Sequence, residues 1–165
     1  MSVTLRAWRR GDEEALVELA DNPNVARYMT DGFPSPYTPS DAQAWISRNE
    51  AANPKTHFAI LVDGNVVGGI GFTLFGGERR GTAYIGYWIG EPYWGRGFAT
   101  TALREATKVA FDQHKLHRLE APAYAPNVAS HRVLENAGYL REGIMRKAVV
   151  KHGEFLDAYL YAIVR

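Results

Sequence analysis

The chain has 165 residues, 46% hydrophobic and 22% charged, and its 19 basic and 18 acidic side chains leave a formal charge of +1. A domain of this length buries roughly 70% of the surface its unfolded chain exposes, and the lack of cysteine excludes a disulfide framework, a thiolate-held metal and a cysteine nucleophile. The near-neutral balance argues against a dedicated nucleic-acid binder, no apolar run approaches the roughly 18 residues of a membrane span, and residues 1–6 lack a signal-peptide apolar region. The expectation is a soluble, cytoplasmic protein with no nucleic-acid or membrane partner. With no repeat, low-complexity stretch or linker, residues 1–165 read as one domain.

Residues 2–9 alternate as a strand, with Val3, Leu5 and Ala7 on one face. Residues 12–21 carry a helical stripe of Ala15, Leu16, Leu19 and Ala20, and a short helical turn follows at 25–29. Three prolines, Pro34, Pro36 and Pro39, exclude regular structure up to the next helix. That helix starts either with Thr38 as N-cap and Pro39 in the first turn, or with Ser40 and Gln43 as a capping box, and runs to about Ala52. Strands at 57–62 and 66–75 flank an Asp63-Gly64-Asn65 turn, and a third covers 82–89. A helix at 97–113 buries Ala99, Ala102, Leu103, Ala106, Val109 and Ala110. A strand at 118–123, a helix at 128–137 capped by Gly138, and strands at 139–149 and 155–164 complete the chain. Hairpins first and a βαβ unit later predict an α/β (α+β) fold, a mixed central sheet of about seven strands with helices on both faces.

The strongest chemical signal is Trp94-Gly95-Arg96-Gly97-Phe98-Ala99-Thr100, between a strand and a strongly periodic helix. Glycines there let the backbone turn tightly and aim N–H groups at one point, and the helix terminus adds about half a positive charge, so the turn suits a phosphate or pyrophosphate. The plainer reading, a turn that uses glycine for geometry alone, stays open, because a lone Gly-x-Gly is a common match. A Walker A loop fails, since Phe98-Ala99 stands where Lys-Ser/Thr is needed. A dinucleotide turn lacks its third glycine, having Thr100 there, although Glu120 partly matches the acid expected about 20 residues on.

The run from Gly86 through Tyr87, Trp88, Ile89, Gly90, Glu91, Pro92, Tyr93, Trp94, Gly95, Arg96, Gly97 and Phe98 to Ala99 resembles the acetyl-CoA signature of the GNAT N-acetyltransferases, RimJ/RimL being the nearest branch. The resemblance extends through Pro36-Tyr37-Thr38, Asp41, Trp45-Ile46, Asn127-x-x-Ser130, Glu135-x-x-Gly138-Tyr139, Glu142-Gly143 and Gly153-x-x-x-Asp157. Three positions depart from family patterns: Pro92 replaces a Gln or Arg of the general loop, Thr101 replaces a glutamate common in the branch, and Leu134 stands where other branches place an acidic tyrosine.

The resemblance implies the GNAT fold, acetyl-CoA as co-substrate without a metal, and an amine acceptor, either a protein N-terminus or a small molecule; a homodimer is compatible with it. Trp94, Gly95, Arg96, Gly97, Phe98, Ala99 and Thr100 would hold the pyrophosphate, and Tyr87, Trp88 and Ile89 the pantetheine. Asn127 and Ser130 would contact the cofactor, with Ser130 the candidate donor to the departing thiolate; as a helix N-cap, Asn127 also has an ordinary structural role. An α-amine, with a reference pKa of about 7.7–8.0 against about 10.4 for lysine, asks little of a general base. No base stands out: Asp157, beside Tyr159 and Tyr161, suits an ammonium but equally a structural pairing, and Glu120 and Glu142 rank behind it. Phe33, Tyr37 and Tyr84 join Asp157 as acceptor candidates, Phe33 and Tyr37 on a proline-rich loop of the kind that borders sites. Arg79-Arg80 reads as a solvated hairpin end. His114 and His117 form an H-x-x-H without an acidic third ligand. Two competing functions are a silent acyl-CoA-binding module and a nucleotide-dependent oxidoreductase.

Overall fold

Alternation at the N-terminus produces β1 (Val3–Ala7), and the apolar stripe that follows produces α1 (Glu13–Ala20) and the short α2 (Pro23–Ala26). In this computed structural model, which describes residues 1–165, the elements continue as α3 (Pro39–Ala51), β2 (His57–Val62), β3 (Asn65–Leu74), β4 (Thr82–Ile89) and α4 (Phe98–His114). β5 (Arg118–Tyr124), α5 (Val128–Asn136), β6 (Leu140–Lys151) and β7 (Glu154–Val164) complete them. The strands form the expected mixed seven-stranded sheet, ordered β1-β2-β3-β4-β5-β7-β6. A parallel ladder joins β4 to β5; β1–β2, β2–β3, β5–β7 and β6–β7 are antiparallel.

The chain forms two compact units, Met1–Gly71 with Tyr87–Ala106 and Phe72–Gly86 with Thr107–Arg165, and β3, β4 and α4 contribute residues to both. In the first unit, Trp8, Leu16, Ala20, Tyr37, Ala42, Ile46, Ala59 and Leu61 form the core, with Phe33, Trp45 and Trp88 packed on it. Of the two possible starts of α3, Thr38 is the N-cap: its hydroxyl accepts from the Asp41 amide, Asp41 accepts from the Thr38 amide, and Pro39 lies in the first turn. α1 has no side-chain cap bond; Asp12 instead receives both terminal nitrogens of Arg6, at 2.7 and 2.8 Å. Burial works against the Asp12 charge, but Arg6 and the Arg9 amide outweigh it and hold this carboxyl below its ordinary range.

In the second unit, Phe72, Leu119, Leu134, Tyr139 and Tyr161 are among the least exposed large side chains. The Thr107 and Tyr139 hydroxyls bond at 2.8 Å, so neither is buried without a partner. β6 pairs with β7 from Leu140↔Ala162 to Met145↔Ala158, with one register shift between Arg141 and Gly143, and again from Val149↔Leu156. Between these pairs residues 146–148 bulge opposite Asp157, with Lys147 at φ +49°.

Candidate active site

The phosphate-turn candidates are anchored before they turn. At the end of β4 the Gly90 amide donates to the Val67 carbonyl at 2.8 Å, and the Trp94 indole donates to the Ile89 carbonyl at 2.6 Å. The chain then passes Gly95 at φ +73° and Gly97 at φ +77°. A Cβ on either glycine would meet nothing within 4 Å, so backbone conformation and not space demands glycine. An L-residue held there costs roughly 1–2 kcal/mol. The first helical bond of α4 runs from the Thr101 amide to the Gly97 carbonyl at 3.2 Å, so the amides of Phe98, Ala99 and Thr100 have no acceptor within the helix. Seventeen residues of helix stand behind these amides, and the first turn carries no acidic side chain. Gly95, Arg96 and Gly97 are exposed and Phe98 is buried, so open donors precede a fixed helix. This geometry fits an anion such as a pyrophosphate.

β4 contributes backbone more than side chains. The Trp88 ring stands edge-on to Phe33 at 5.7 Å and covers Gly69, where a Cβ would lie 2.7 Å from the indole nitrogen. Trp88 is therefore packed, partly buried, against the core; Tyr87 is half-buried and Ile89 buried. The β4–β5 ladder consists of Thr82↔Arg118, Ala83↔Leu119 and Tyr84↔Glu120. Residues 85–89 continue β4 past the last of these pairs.

Asn127 and Ser130 open α5. The Asn127 side-chain oxygen accepts from the Ser130 amide at 3.3 Å, so the N-cap role is real and engages the carbonyl end of the side chain, not its NH2. Ser130 is half-buried one turn into the helix, and Leu134 is 1% exposed, which leaves the acidic-tyrosine position filled by core. The neighbouring His131 stacks on Tyr159 at 4.8 Å and its Nε2 bonds the Ala125 carbonyl at 3.0 Å.

The acceptor candidates separate. Phe33 is half-buried between Tyr37, at 5.4 Å between ring centroids, and Trp88. Tyr37 is only 5% exposed, and burial, with Asp41 nearby, pushes its phenol up to about 12. It belongs to the core, with its backbone amide donating to Asp21 at 3.0 Å. Tyr84 is exposed and stands edge-on to Phe75 at 4.5 Å. Asp157 accepts from the Lys147 amide at 2.8 Å and lines an open cavity of about 630 Å³ with Arg146 and Lys147. Its carboxylate thus secures the β6 bulge while it borders an open cavity, a place compatible with either of its two roles.

Glu120 and Glu142 are ion-paired. Buried Glu120 receives Arg79 at 2.5 Å and Arg118 at 2.8 Å, and Arg118 also donates to both oxygens of Glu142. Burial opposes the Glu120 charge, but the two arginines outweigh it and hold the carboxyl below its ordinary range; the Arg118 hydrogen bonds do the same for Glu142. Arg79 is exposed at the hairpin end, as its sequence context suggested, and from there also pairs with a buried acid. The depressed Glu120 value means its stabilising effect is complete above about pH 4.3, the unfolded value, and is lost as pH falls through the folded value. Urea titrations of wild type and Glu120→Gln are expected to differ most at pH 7 and to converge on acidification. A gap independent of pH would contradict the pairing.

Glu91 escapes the sequence reading. Its two oxygens accept from Asn22 at 2.6 Å and Asn24 at 2.9 Å, residues 69 and 67 positions away. The short helical turn expected at 25–29 starts two residues earlier, at Pro23 behind the Asn22 N-cap. No cluster of three or more metal-ligating side chains occurs, and His114 rests against the Phe72 ring at 4.9 Å.

Residues 2–140 match the family described as Acetyltransferase (GNAT) domain. The uncharacterized N-acetyltransferase YnaD of Bacillus subtilis (strain 168) is 31% identical over 161 residues, 97% of this chain and 92% of that protein. A GNAT-family acetyltransferase from Bacillus anthracis has a crystal structure that superposes with a TM-score of 0.87 at 29% identity, covering 99% of this chain and 95% of that one. Mycobacterium smegmatis RimJ, solved in complex with CoA-disulfide, reaches a TM-score of 0.87 at 28% identity over 98% of this chain and 81% of its own. With the family match over residues 2–140 and a relative 31% identical over 97% of the chain, the chain belongs to the GNAT family of acetyl-CoA-dependent N-acetyltransferases.

Proposed function

We propose that this enzyme acetylates a primary amine that is substantially neutral near pH 7, a protein N-terminal α-amine or a small-molecule amine of similar basicity, in the manner of the RimJ/RimL branch. The observation that carries this reading is the state of the acids: Arg118 holds Glu120 and Glu142 charged, below the ordinary carboxylate range, and the Asp157 carboxylate is engaged by the Lys147 amide, so none stands unengaged as a general base. An α-amine at about 7.7–8.0 reacts without one, whereas a lysine at about 10.4 needs its proton removed first.

Acetyl-CoA, when bound, supplies a thioester carbonyl open to attack and a thiolate leaving group. In this proposal the amides of residues 95–100 receive its pyrophosphate, and the backbone of residues 87–89, past the β5 pairs, bonds its pantetheine. A β4 amide polarises the reacting carbonyl, a donor fixed before the reaction begins. Asn127 contacts the co-substrate through its NH2 group, which the cap bond leaves unused. Ser130 donates a hydrogen bond to the thiolate; a thiol of pKa about 8.5 leaves without full protonation. Phe33, Tyr84 and Asp157 are assigned to the acceptor, with Tyr37 supporting Phe33 from behind.

The test is an acceptor panel of N-terminal peptides, polyamines, aminoglycosides and amino-acid-like amines, read by mass shift and free-thiol release. Transfer to α-amines in preference to lysine-like amines at pH 7 is expected, and the reverse preference would overturn the reading. On the best acceptor, Ser130→Ala is expected to lower kcat about tenfold with CoA affinity nearly unchanged, the signature of an interaction made as the thiolate leaves.

A further inference from the structure

Left-handed glycines permit the phosphate-binding conformation without enforcing it. Gly95 and Gly97 have open space around them, and glycine loses more conformational freedom on ordering than any other residue. Unless the turn is held from outside, anion binding must bear the cost of ordering it.

The segment entering the turn is held at several points within its own unit. Gly90 is bonded to the Val67 carbonyl, and a Cβ there would lie 2.6 Å from the Leu19 side chain, so α1 lies flush against it. The Tyr93 and Trp94 amides close a helical turn onto the Gly90 and Glu91 carbonyls at 2.9 and 3.1 Å. Across the outside of this turn, Asn22 and Asn24 donate to separate oxygens of Glu91. Asn22 is itself fixed, because its side-chain oxygen accepts from the Asn24 amide at 2.9 Å as the N-cap of α2. The orientation of the Asn22 side chain is therefore set by α2, and Glu91 takes its position from that helix start.

We propose that Glu91 is a positioning residue that holds the phosphate-binding turn in its anion-receiving form, with Asn22 and Asn24 as its anchors. The proposal rests on the assignment of residues 95–100 to the CoA pyrophosphate. It extends that assignment by linking α2, outside the turn, to cofactor affinity.

A polarity swap tests it. Asn22→Asp keeps the cap, since Asp is as good an N-cap as Asn, but loses the donor to Glu91 and sets two carboxylates together. Glu91→Gln turns an NH2 group against that of Asn22. In the double variant N22D/E91Q, the NH2 group introduced at position 91 donates to the carboxylate introduced at position 22. The amide oxygen at position 91 still accepts from Asn24, so both bonds return with one reversed. Two readouts are taken at a temperature where all variants are folded: amide hydrogen exchange of Tyr93 and Trp94 in the free protein, and CoA affinity by calorimetry. Each single variant is expected to exchange about tenfold faster at these amides and to bind CoA about tenfold more weakly, on the scale of one hydrogen bond to a charged group. The double variant should return to within about threefold of wild type in both. Unchanged exchange in the single variants, faster exchange with unchanged CoA affinity, or a double variant no better than the singles would each overturn the proposal. Failure of the wild type to bind CoA would instead overturn the assignment of the turn, and the proposal with it.

Discussion

Gly97→Glu is expected to fold like the wild type and to bind CoA at least a hundredfold more weakly. Folding survives because the new side chain enters open space. Its cost is the left-handed backbone at φ +77°, roughly 1–2 kcal/mol, against a total stability of about 5–15 kcal/mol for a domain. Binding suffers twice. Relaxing the strain rotates the amides that precede Thr101 away from their common target, and the carboxylate stands beside the phosphate position. Two like charges 4 Å apart repel by about 1 kcal/mol in water and about 4 kcal/mol near a protein surface; with the protein-surface value, the two effects together exceed the roughly 2.7 kcal/mol of a hundredfold change. Gly97→Ala separates them, since it carries only the backbone part and should cost about tenfold. Calorimetry with CoA, alongside thermal melts, checks both variants. Unchanged affinity in Gly97→Glu would place the phosphates elsewhere.

Gly68→Ala is expected to be among the most damaging single-methyl additions in the chain. Its Cβ would fall on the Trp88 carbonyl oxygen, with the Ile89 Cα 3.0 Å away. Both neighbours are backbone, so no side-chain rotation relieves the clash and β3 and β4 must part. Overpacking a core costs about 1–3 kcal/mol when side chains can yield; here about 3 kcal/mol or more is expected, a fall in Tm of roughly 6–12 °C at this chain length. Gly86→Ala is the control on β4: a Cβ there meets nothing within 4 Å, and the change should stay within about 1 kcal/mol. Urea denaturation of the pair decides the matter, because equal stabilities would mean that no close approach exists at Gly68. The same contact sets the Trp88 backbone and thereby the strand assigned to the pantetheine, so a surviving Gly68→Ala protein is also expected to bind CoA less well.

These glycines show where sequence reasoning stops. Gly95 and Gly97 are legible because the chemistry they permit is local: a strand, two glycines and a periodic helix within a dozen residues. Gly68 is just as constrained, yet its partner is a carbonyl on another strand, and no pattern around it distinguishes it from Gly86. The same division runs through the site. Asn127 is legible as a helix N-cap, and its cap bond to the Ser130 amide forms between neighbours, whereas the cofactor roles of both residues rest on the family resemblance. Tyr37 reads as an aromatic of a loop and is core, and Trp88, read as part of the pantetheine strand, packs its ring partly buried against that core. Their surroundings are assembled from Trp8, Phe33, Ile46 and Gly69, which are close only once strands and helices have packed.

Whatever depends on neighbours within about one helical turn or one strand can be read from the residues alone. This includes the order and type of the elements, the α4 stripe, a helix start beside Pro39, the glycine turn and the family to which its motifs point. Which polar groups meet is settled only by packing. Glu120 is taken by Arg79 and Arg118, Asp157 by the Lys147 amide across the β6 bulge, and Glu91 by two asparagines 67 and 69 residues away. A helix or strand propensity is summed along the chain, whereas a hydrogen bond depends on a separation of about 3 Å between atoms whose positions follow from strand register and helix packing. A carboxylate in a sequence can be a base, a steering charge or a strut. In this protein the placement of one arginine, Arg118, makes two such candidates, Glu120 and Glu142, into struts.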